Sequence, residues 1–531
     1  MAKNLGKRMI GRGAASAIML AGAIGAAPAP DASVDLLIRG GTVYTGSAAP
    51  FVGDVAIVGD QITQVGPRLK VTATRTIDAK GMIVAPGFID PHTHVGGMIA
   101  SDDARERLVL PFLMQGVTTA FIGNDGGGSP DVAATLATVK TKPVGINYAT
   151  YVGFGAVREK VVGEALRAPT AAELTSMKSL VANAMCQGAL GFSTGLFYAP
   201  QSFSKTDEVV ALAREAGVRG GIYDSHIRDE SSYTVGLEAA IDEALQIGRD
   251  AAMPVHISHI KALGVDVQGK APAIIAKVEA ALRAGQKVTA DQYPWSASGT
   301  SLVASMVPLW AQDGGRSALL ARFDDASLHE RLTRDMAENL RKRGGADTLL
   351  ITEGPEKGLR LAAVAARMKV DPVAAAIAVI RIGDPATVSF NMSEADIAAF
   401  MRQPWVMTGS DASGGHPRVY GSFARKYDKY VKTDHVITLR QFIERSSALT
   451  ADTFGLTGRG HLRAGAFADV VVFDPKTYAS RATYEQPTEL AAGVRSVIVN
   501  GRVAIDNGQP TAVAAGRALA HTPTTGSCSS L

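Results

Sequence analysis

The sequence of 531 residues predicts an α/β fold, a (β/α)8 barrel of the TIM type with a small β-sandwich beside it, and three observations carry that expectation. Eight short apolar runs punctuate the middle of the chain, amphipathic helical stretches separate them, and strand-like alternation returns at both ends.

Near the start, residues 34–85 alternate apolar runs with Gly-rich turns: Val34 to Ile38, Val55 to Val58 and Ile62 to Val65. Toward the end, Asp469 to Asp474, Ser496 to Asn500 and Arg502 to Ile505 read as strands, with Asn500-Gly501 as a hairpin turn. These two pieces, 34–85 plus 462–515, are expected to meet as one β domain flanking a barrel over 86–461. The barrel runs are Ile83 to Ile89, Val117 to Ile122, Val144 to Tyr148, Ala189 to Phe192, Gly221 to Tyr223, Val255 to Ile257, Lys287 to Ala290 and Trp405 to Thr408. Between the third and fourth, Thr170 and Glu173 form a capping box, and Leu174, Met177, Val181 and Met185 follow at helical spacing on one face. A long segment at about 295–400, with a charged helical stretch from Leu328 to Arg343, is expected to be an insertion packed over the barrel mouth.

The formal charge of +4 is supplied entirely by Lys3, Lys7, Arg8 and Arg12, in a segment without acids, so nothing basic remains to attract nucleic acid. Those cations precede an apolar stretch from Ala14 to Ala27 that ends in small residues, the three parts of an export signal over residues 1–30. A periplasmic or secreted protein with no membrane span in the mature chain is expected. Only Cys186 and Cys528 occur, one in an expected helix and one near the end, and a structural disulfide between them is not expected.

Barrels place chemistry at the C-terminal ends of their strands, and polar residues fall there repeatedly. The first run ends in Pro91-His92-Thr93-His94, the second in Asn124-Asp125, the fifth in Ser225-His226, the sixth in Ser258-His259, the seventh in Asp291 and the eighth in Ser410-Asp411. Residues i and i+2 of a strand share a side, so His92 and His94 can chelate one ion. Histidines and carboxylates converging from separate strands are costly to bury unpaired, which points to metal. His256, three residues before His259, is expected to face the helices in a structural role; His329, His435, His461 and His521 lie in helical or terminal segments, and His416 is intermediate.

The stretch Gly87 to His94 (GFIDPHTH) resembles the first-strand signature of the amidohydrolase superfamily. Gly188 to Tyr198 (GALGFSTGLFY), Tyr223 to Glu230 (YDSHIRDE), Ile257 to Lys261 (ISHIK), Asp291 to Pro294 (DQYP), Gly409 to Ala412 (GSDA) and His416 to Gly421 (HPRVYG) are similar to the N-acyl-D-amino-acid deacylases, in that family's order. The resemblance implies hydrolysis of the amide bond of N-acyl amino acids, of D configuration, by metal-activated hydroxide. It implies Zn2+, one or two ions, with His226 and His259 on the tighter position, His92 and His94 on a second, and Asp411 as general acid/base. It also implies Lys261, Tyr293 and Arg418 on the substrate carboxylate, with Tyr198 a further candidate; the alternative for Lys261 and Arg418 is a solvated place at the rim.

One position departs from the family. Deacylases show Gly-Asn-Cys-Gly with a ligating cysteine, whereas this chain has Gly123-Asn124-Asp125-Gly126. Asp125 either bridges two metals through its carboxylate or caps the following loop. Two other functions stay open at this point: a metallo-carboxypeptidase, dipeptidase or hydrolase of a cyclic or xenobiotic amide on the same centre, and a non-catalytic barrel serving as a binding protein.

Overall fold

A computed structural model describes residues 32–529. The expected export signal, residues 1–30, lies outside the described residues, among which no helix is long and apolar enough to cross a membrane.

Eight parallel strands form the barrel: Phe88–Asp90, Val117–Ile122, Asn147–Thr150 with its continuation Val152–Gly153, Gly191–Gly195, Ile222–His226, Val255–Ile257, Val288–Gln292 and Val406–Thr408. The ring closes between the segments that follow strands eight and one, where the amide of Asp411 donates to His92 O (2.9 Å) and that of His94 to Ala412 O (2.9 Å). The helix behind the capping box spans Ala171–Cys186 and buries Met177, Val181 and Met185 against the barrel, as its spacing predicts.

The first apolar run, read as one strand, divides in two. Ile83–Pro86 belongs to the β-sandwich and Phe88–Asp90 to the barrel. Gly87 makes the break: a Cβ there would collide with the Thr118 side chain, and its amide is taken by Asp469 O. The sandwich is one continuous sheet of nine strands, in the order Gln509–Pro510, Arg502–Asp506, Val494–Val499, Val470–Phe473, Ile83–Pro86, Ala32–Val43, Phe51–Val58 and Gln61–Gly66, with Val71–Asp78 on the same edge of Ala32–Val43 as Ile83–Pro86. A register shift between Ile38 and Gly41 lets Ala32–Val43 pair first with Val71–Asp78 and then with Ile83–Pro86, which bends the sheet around Leu36, Ile57, Ile77, Val84, Val472 and Ile498. The opposite face, through Val471, Phe473 and Val497, packs on the barrel, so both chain ends share one core with it.

The insertion has an apolar core of its own, built on an antiparallel sheet of Ala297–Ser301, Ala386–Phe390 and Leu349–Ile351 and on the helices Gly315–Asp324, His329–Lys342, Leu361–Met368 and Pro372–Ile382.

The expectation about the cysteines is overturned: Cys186 and Cys528 form a disulfide across a sequence separation of 342. Beyond the sandwich the chain returns under the barrel. The amide of Leu519 donates to Tyr148 O, that of His521 to Gly188 O and that of Thr524 to Arg219 O, and this course carries Cys528 to the end of the Ala171–Cys186 helix.

Candidate metal centre

Six side chains converge at the C-terminal ends of the barrel strands. His226 is the last residue of strand five, while His92, His94, Asp125, His259 and Asp411 lie just past strands one, two, six and eight. Asp125 (φ 55), His259 (φ 34) and Asp411 (φ 49) all occupy the left-handed region, where a non-glycine side chain is strained. The strain turns the chain sharply at each strand end and aims the side chain back over the barrel axis. Gly409 allows the last of these turns, since a Cβ there would strike the Asp291 carboxylate.

Asp125 is the centre of the cluster. Its Oδ1 lies 3.3 Å from His92 Nε2 and 3.6 Å from His259 Nε2; its Oδ2 lies 3.4 Å from His94 Nε2 and 3.6 Å from His226 Nδ1. Asp411 Oδ1 stands 3.2 Å from His94 Nε2 and 3.7 Å from His92 Nε2. The donors thus fall into two groups, His92, His94, Asp125 and Asp411 on one side and Asp125, His226 and His259 on the other, and Asp125 alone belongs to both. It does not cap the following loop: its Oδ1 is buried without any hydrogen-bond donor.

Both ring nitrogens of His92 and of His226 are likewise buried without hydrogen-bond partners among the described residues. Buried polar atoms rarely stay unsatisfied, so orphaned nitrogens around a shared carboxylate fit divalent cations. The field is correspondingly negative. Burial opposes protonation of His94, yet hydrogen bonds to Asp125 and Asp411 carry it up to about 9. His259, despite burial and the nearby Lys261, is raised to about 10 by Asp411, Glu230 and Asp125. A field that holds protons on these rings holds a divalent cation in their place.

Beneath the cluster a buried layer fixes the ligand backbones. Asp291 Oδ1 accepts from the His259 amide (2.9 Å), Asp90 Oδ1 from the amides of His92 (3.3 Å) and Ser410 (3.0 Å), and Asp224 from Ser258 Oγ (2.8 Å) and Asn124 Nδ2 (3.1 Å). His256 joins this layer, 3.2 Å from Asp291 Oδ1 and 2.9 Å from Thr289 Oγ1. The expectation that it faces the helices is wrong. His259 sits past the end of its strand in the left-handed turn, so strand alternation does not relate the two, and both project inward.

Glu230, which its position in the sequence does not by itself single out, joins the site. It stands 3.1 Å from His259 Nδ1 and 3.8 Å from His226 Nε2, behind both rings and opposite the nitrogens that face Asp125. A carboxylate behind a ligating histidine fixes its tautomer and ring angle. The available signal was its place four residues after His226, at the end of the YDSHIRDE stretch.

Beside the cluster lies a cavity lined by Tyr198, Lys261 and Tyr293 together with Asp411, Glu230 and, from the insertion, Ser298 to Thr300 and Arg343. Lys261 is no rim residue: its Nζ is buried on Glu230 Oε1 (2.5 Å), His259 Nδ1 (2.6 Å) and His259 O (3.0 Å). Arg418 is 1% exposed and stands behind the cavity wall, donating to Asp411 Oδ2 (2.6 Å) and Ser413 Oγ (2.6 Å). His416 braces that loop, with Nε2 on Ala297 O (3.1 Å) and Nδ1 accepting from the Arg418 amide (3.1 Å). His329, His435, His461 and His521 are not among the cluster.

A closed parallel barrel with four histidines and two carboxylates at its strand ends defines a class, the metal-dependent barrel hydrolases. The chain belongs to the amidohydrolase family, whose pattern it matches over residues 75–505. It is 34% identical to the D-aminoacylase of Alcaligenes xylosoxydans xylosoxydans over 92% of this chain and 98% of that one. Among solved structures it resembles a D-aminoacylase studied for its binuclear metal centre (31% identity, TM-score 0.79, 92% of this chain, 100% of that one). It resembles equally the N-acyl-D-glutamate deacylase of Bordetella bronchiseptica complexed with zinc and a phosphonate inhibitor (32% identity, TM-score 0.78, 92% and 100%).

Proposed function

We propose that this protein is a zinc-dependent hydrolase of the amide bond of N-acyl-D-amino acids. The observation that carries the reading is the pair of donor groups that share Asp125 and surround nitrogens with no other partner. His92, His94, Asp125 and Asp411 would hold one ion, and Asp125, His226 and His259 the other. When bound, such ions acidify a water to a pKa near about 7 and polarise the scissile carbonyl.

The protein's own groups supply the rest. Asp411 Oδ1 faces the cluster while its Oδ2 is anchored on Arg418, which, against the effect of burial, holds the carboxyl well below the usual carboxylate range. In that ionised form Asp411 takes the proton of the attacking water and hands it to the leaving nitrogen. Tyr198, Lys261 and Tyr293 wall the place where the amino-acid portion sits, and the insertion shields it from bulk water.

The disulfide supports an exported protein, because such bonds persist in oxidising compartments, and the cationic, apolar leader of residues 1–30 supports a periplasmic or secreted destination.

The test is hydrolysis of N-acetyl amino acids of both hands, measured after chelation and after zinc is restored. Release of the D-amino acids that stops with chelator and returns with zinc is the expected result. Turnover of dipeptides alone would move the function to a metallo-dipeptidase, and loss of metal without loss of turnover would overturn the metal reading.

A further inference from the structure

Three buried cations stand in or against the walls of the cavity beside the metal cluster, and two of them are already answered by protein carboxylates. Lys261 is paired with Glu230, and Arg418 with Asp411. The third, Arg343, has no carboxylate within ion-pair distance among the described residues. It is 2% exposed, at the C-terminal end of the insertion helix His329–Lys342, and it lines the cavity. Two of its nitrogens are tied to the protein, Nε to Ser305 O (3.0 Å) and Nη1 to Ser389 Oγ (3.0 Å). Its guanidinium also lies 5.6 Å from the centroid of the Tyr233 ring. A backbone carbonyl, a hydroxyl and a ring face orient the group but leave its charge uncompensated, and a buried unpaired charge is expensive.

The cavity therefore presents cations at two places, already paired with carboxylates at one and, at Arg343, unpaired among the described residues. Lys261 and Arg418 flank the Tyr293 ring at 5.5 Å and 5.2 Å, and Arg343 stands beside Tyr233. Phe197 and Leu263 contribute an apolar wall suited to methylene groups. We propose that Arg343 receives a second carboxylate of the substrate, so that the preferred substrates are N-acyl amino acids with an acidic group besides the α-carboxylate. This rests on the amide-hydrolase reading above and narrows it to dianionic substrates. The second carboxylate can sit on the side chain or at the far end of the acyl group; the chemistry at Arg343 is the same.

The experiment uses neutral partners of the same shape on the zinc-loaded enzyme. kcat/KM is measured for N-acetyl-D-glutamate against N-acetyl-D-glutamine, and for N-succinyl-D-methionine against N-succinamoyl-D-methionine, with wild type, Arg343→Gln and Arg343→Lys. In one pair the acid is expected to exceed its neutral partner by about 10- to 100-fold, the size of a charge-assisted hydrogen bond. That ratio should fall to near unity in Arg343→Gln and recover in part in Arg343→Lys. Which pair responds tells whether the carboxylate is on the side chain or the acyl group. Because each ratio is taken within one preparation, a partly misfolded variant does not alter it. A ratio near unity in both pairs for wild type, or an acid preference unchanged in Arg343→Gln, overturns the inference while the hydrolase reading stands. If wild type hydrolyses none of the four, the hydrolase reading fails, and calorimetric binding of the same four compounds decides the Arg343 site by itself. Tighter binding of an acid than of its neutral partner that Arg343→Gln abolishes supports it, and equal binding within both pairs overturns it.

Discussion

The two ends of the barrel are built on opposite terms. At the C-terminal end the backbone is strained at Asp125, His259 and Asp411, and imidazole nitrogens of His92 and His226 lie buried without partners. At the N-terminal end Phe454 plugs the interior against Phe121 and Tyr151, and the returning tail hydrogen-bonds across strands three to five before the Cys186–Cys528 bond fastens it. One end gathers donors suited to a cation; the other is packed and closed. Stability and chemistry should therefore separate under mutation.

The largest effect is expected at the shared carboxylate. Asp125→Ala should reduce metal content from two ions per chain, one per donor group, to one or none, with hydrolysis falling to background; two retained ions would show that Asp125 is not the bridge. Asp411→Asn should keep the His226–His259 ion and lower kcat by about 10²–10⁴-fold, the usual worth of a general acid/base. Metal analysis beside steady-state rates checks this. Glu230→Gln should weaken metal affinity by about 10–100-fold, as loss of a ligand-orienting carboxylate does, read from a chelator titration.

At the other end the pattern should reverse. Cys528→Ser is expected to cost about 2–4 kcal/mol of stability in a denaturant titration and to leave kcat unchanged. A lost kcat would show that the strap governs the mouth after all. A further effect, seen only in the pH dependence of stability, belongs to neither end. Lys426, wholly buried with its Nζ 3.3 Å from Met407 O, is lowered to about 7 by burial and secondarily by Arg445, with Asp291 acting against them. The unfolded chain protonates it up to about 10.4, so between these values the unfolded state binds the extra proton and stability rises with pH. Lys426→Met should flatten that rise between pH 7 and 10, measured as the difference between the two denaturation series.

Much of the centre was legible from spacing alone. His92, His94, Asp125, His226, His259 and Asp411 stand directly after apolar runs of barrel length, and a barrel sends strand ends to one place whatever the loops do. The helix over Ala171–Cys186 was equally readable, because its capping box and apolar stripe are local. The errors share a cause. Strand alternation points His256 at the helices only if it runs on to His259, and the left-handed turn that interrupts it has no signature in a histidine. The first run looked continuous because hydropathy does not register that Gly87 lies against Thr118.

By itself, then, the sequence determined which residues end the barrel strands, and with them the donor set and the class of chemistry. Only the tertiary structure decided that Asp125 belongs to both donor groups, that Glu230 backs two rings, that Arg343 reaches the cavity without a carboxylate, and that Cys528 meets Cys186. The physical reason is range. Strand periodicity and caps act over a few neighbouring residues, whereas ion pairing and disulfide formation depend on which distant segments the closed barrel brings within a few ångströms.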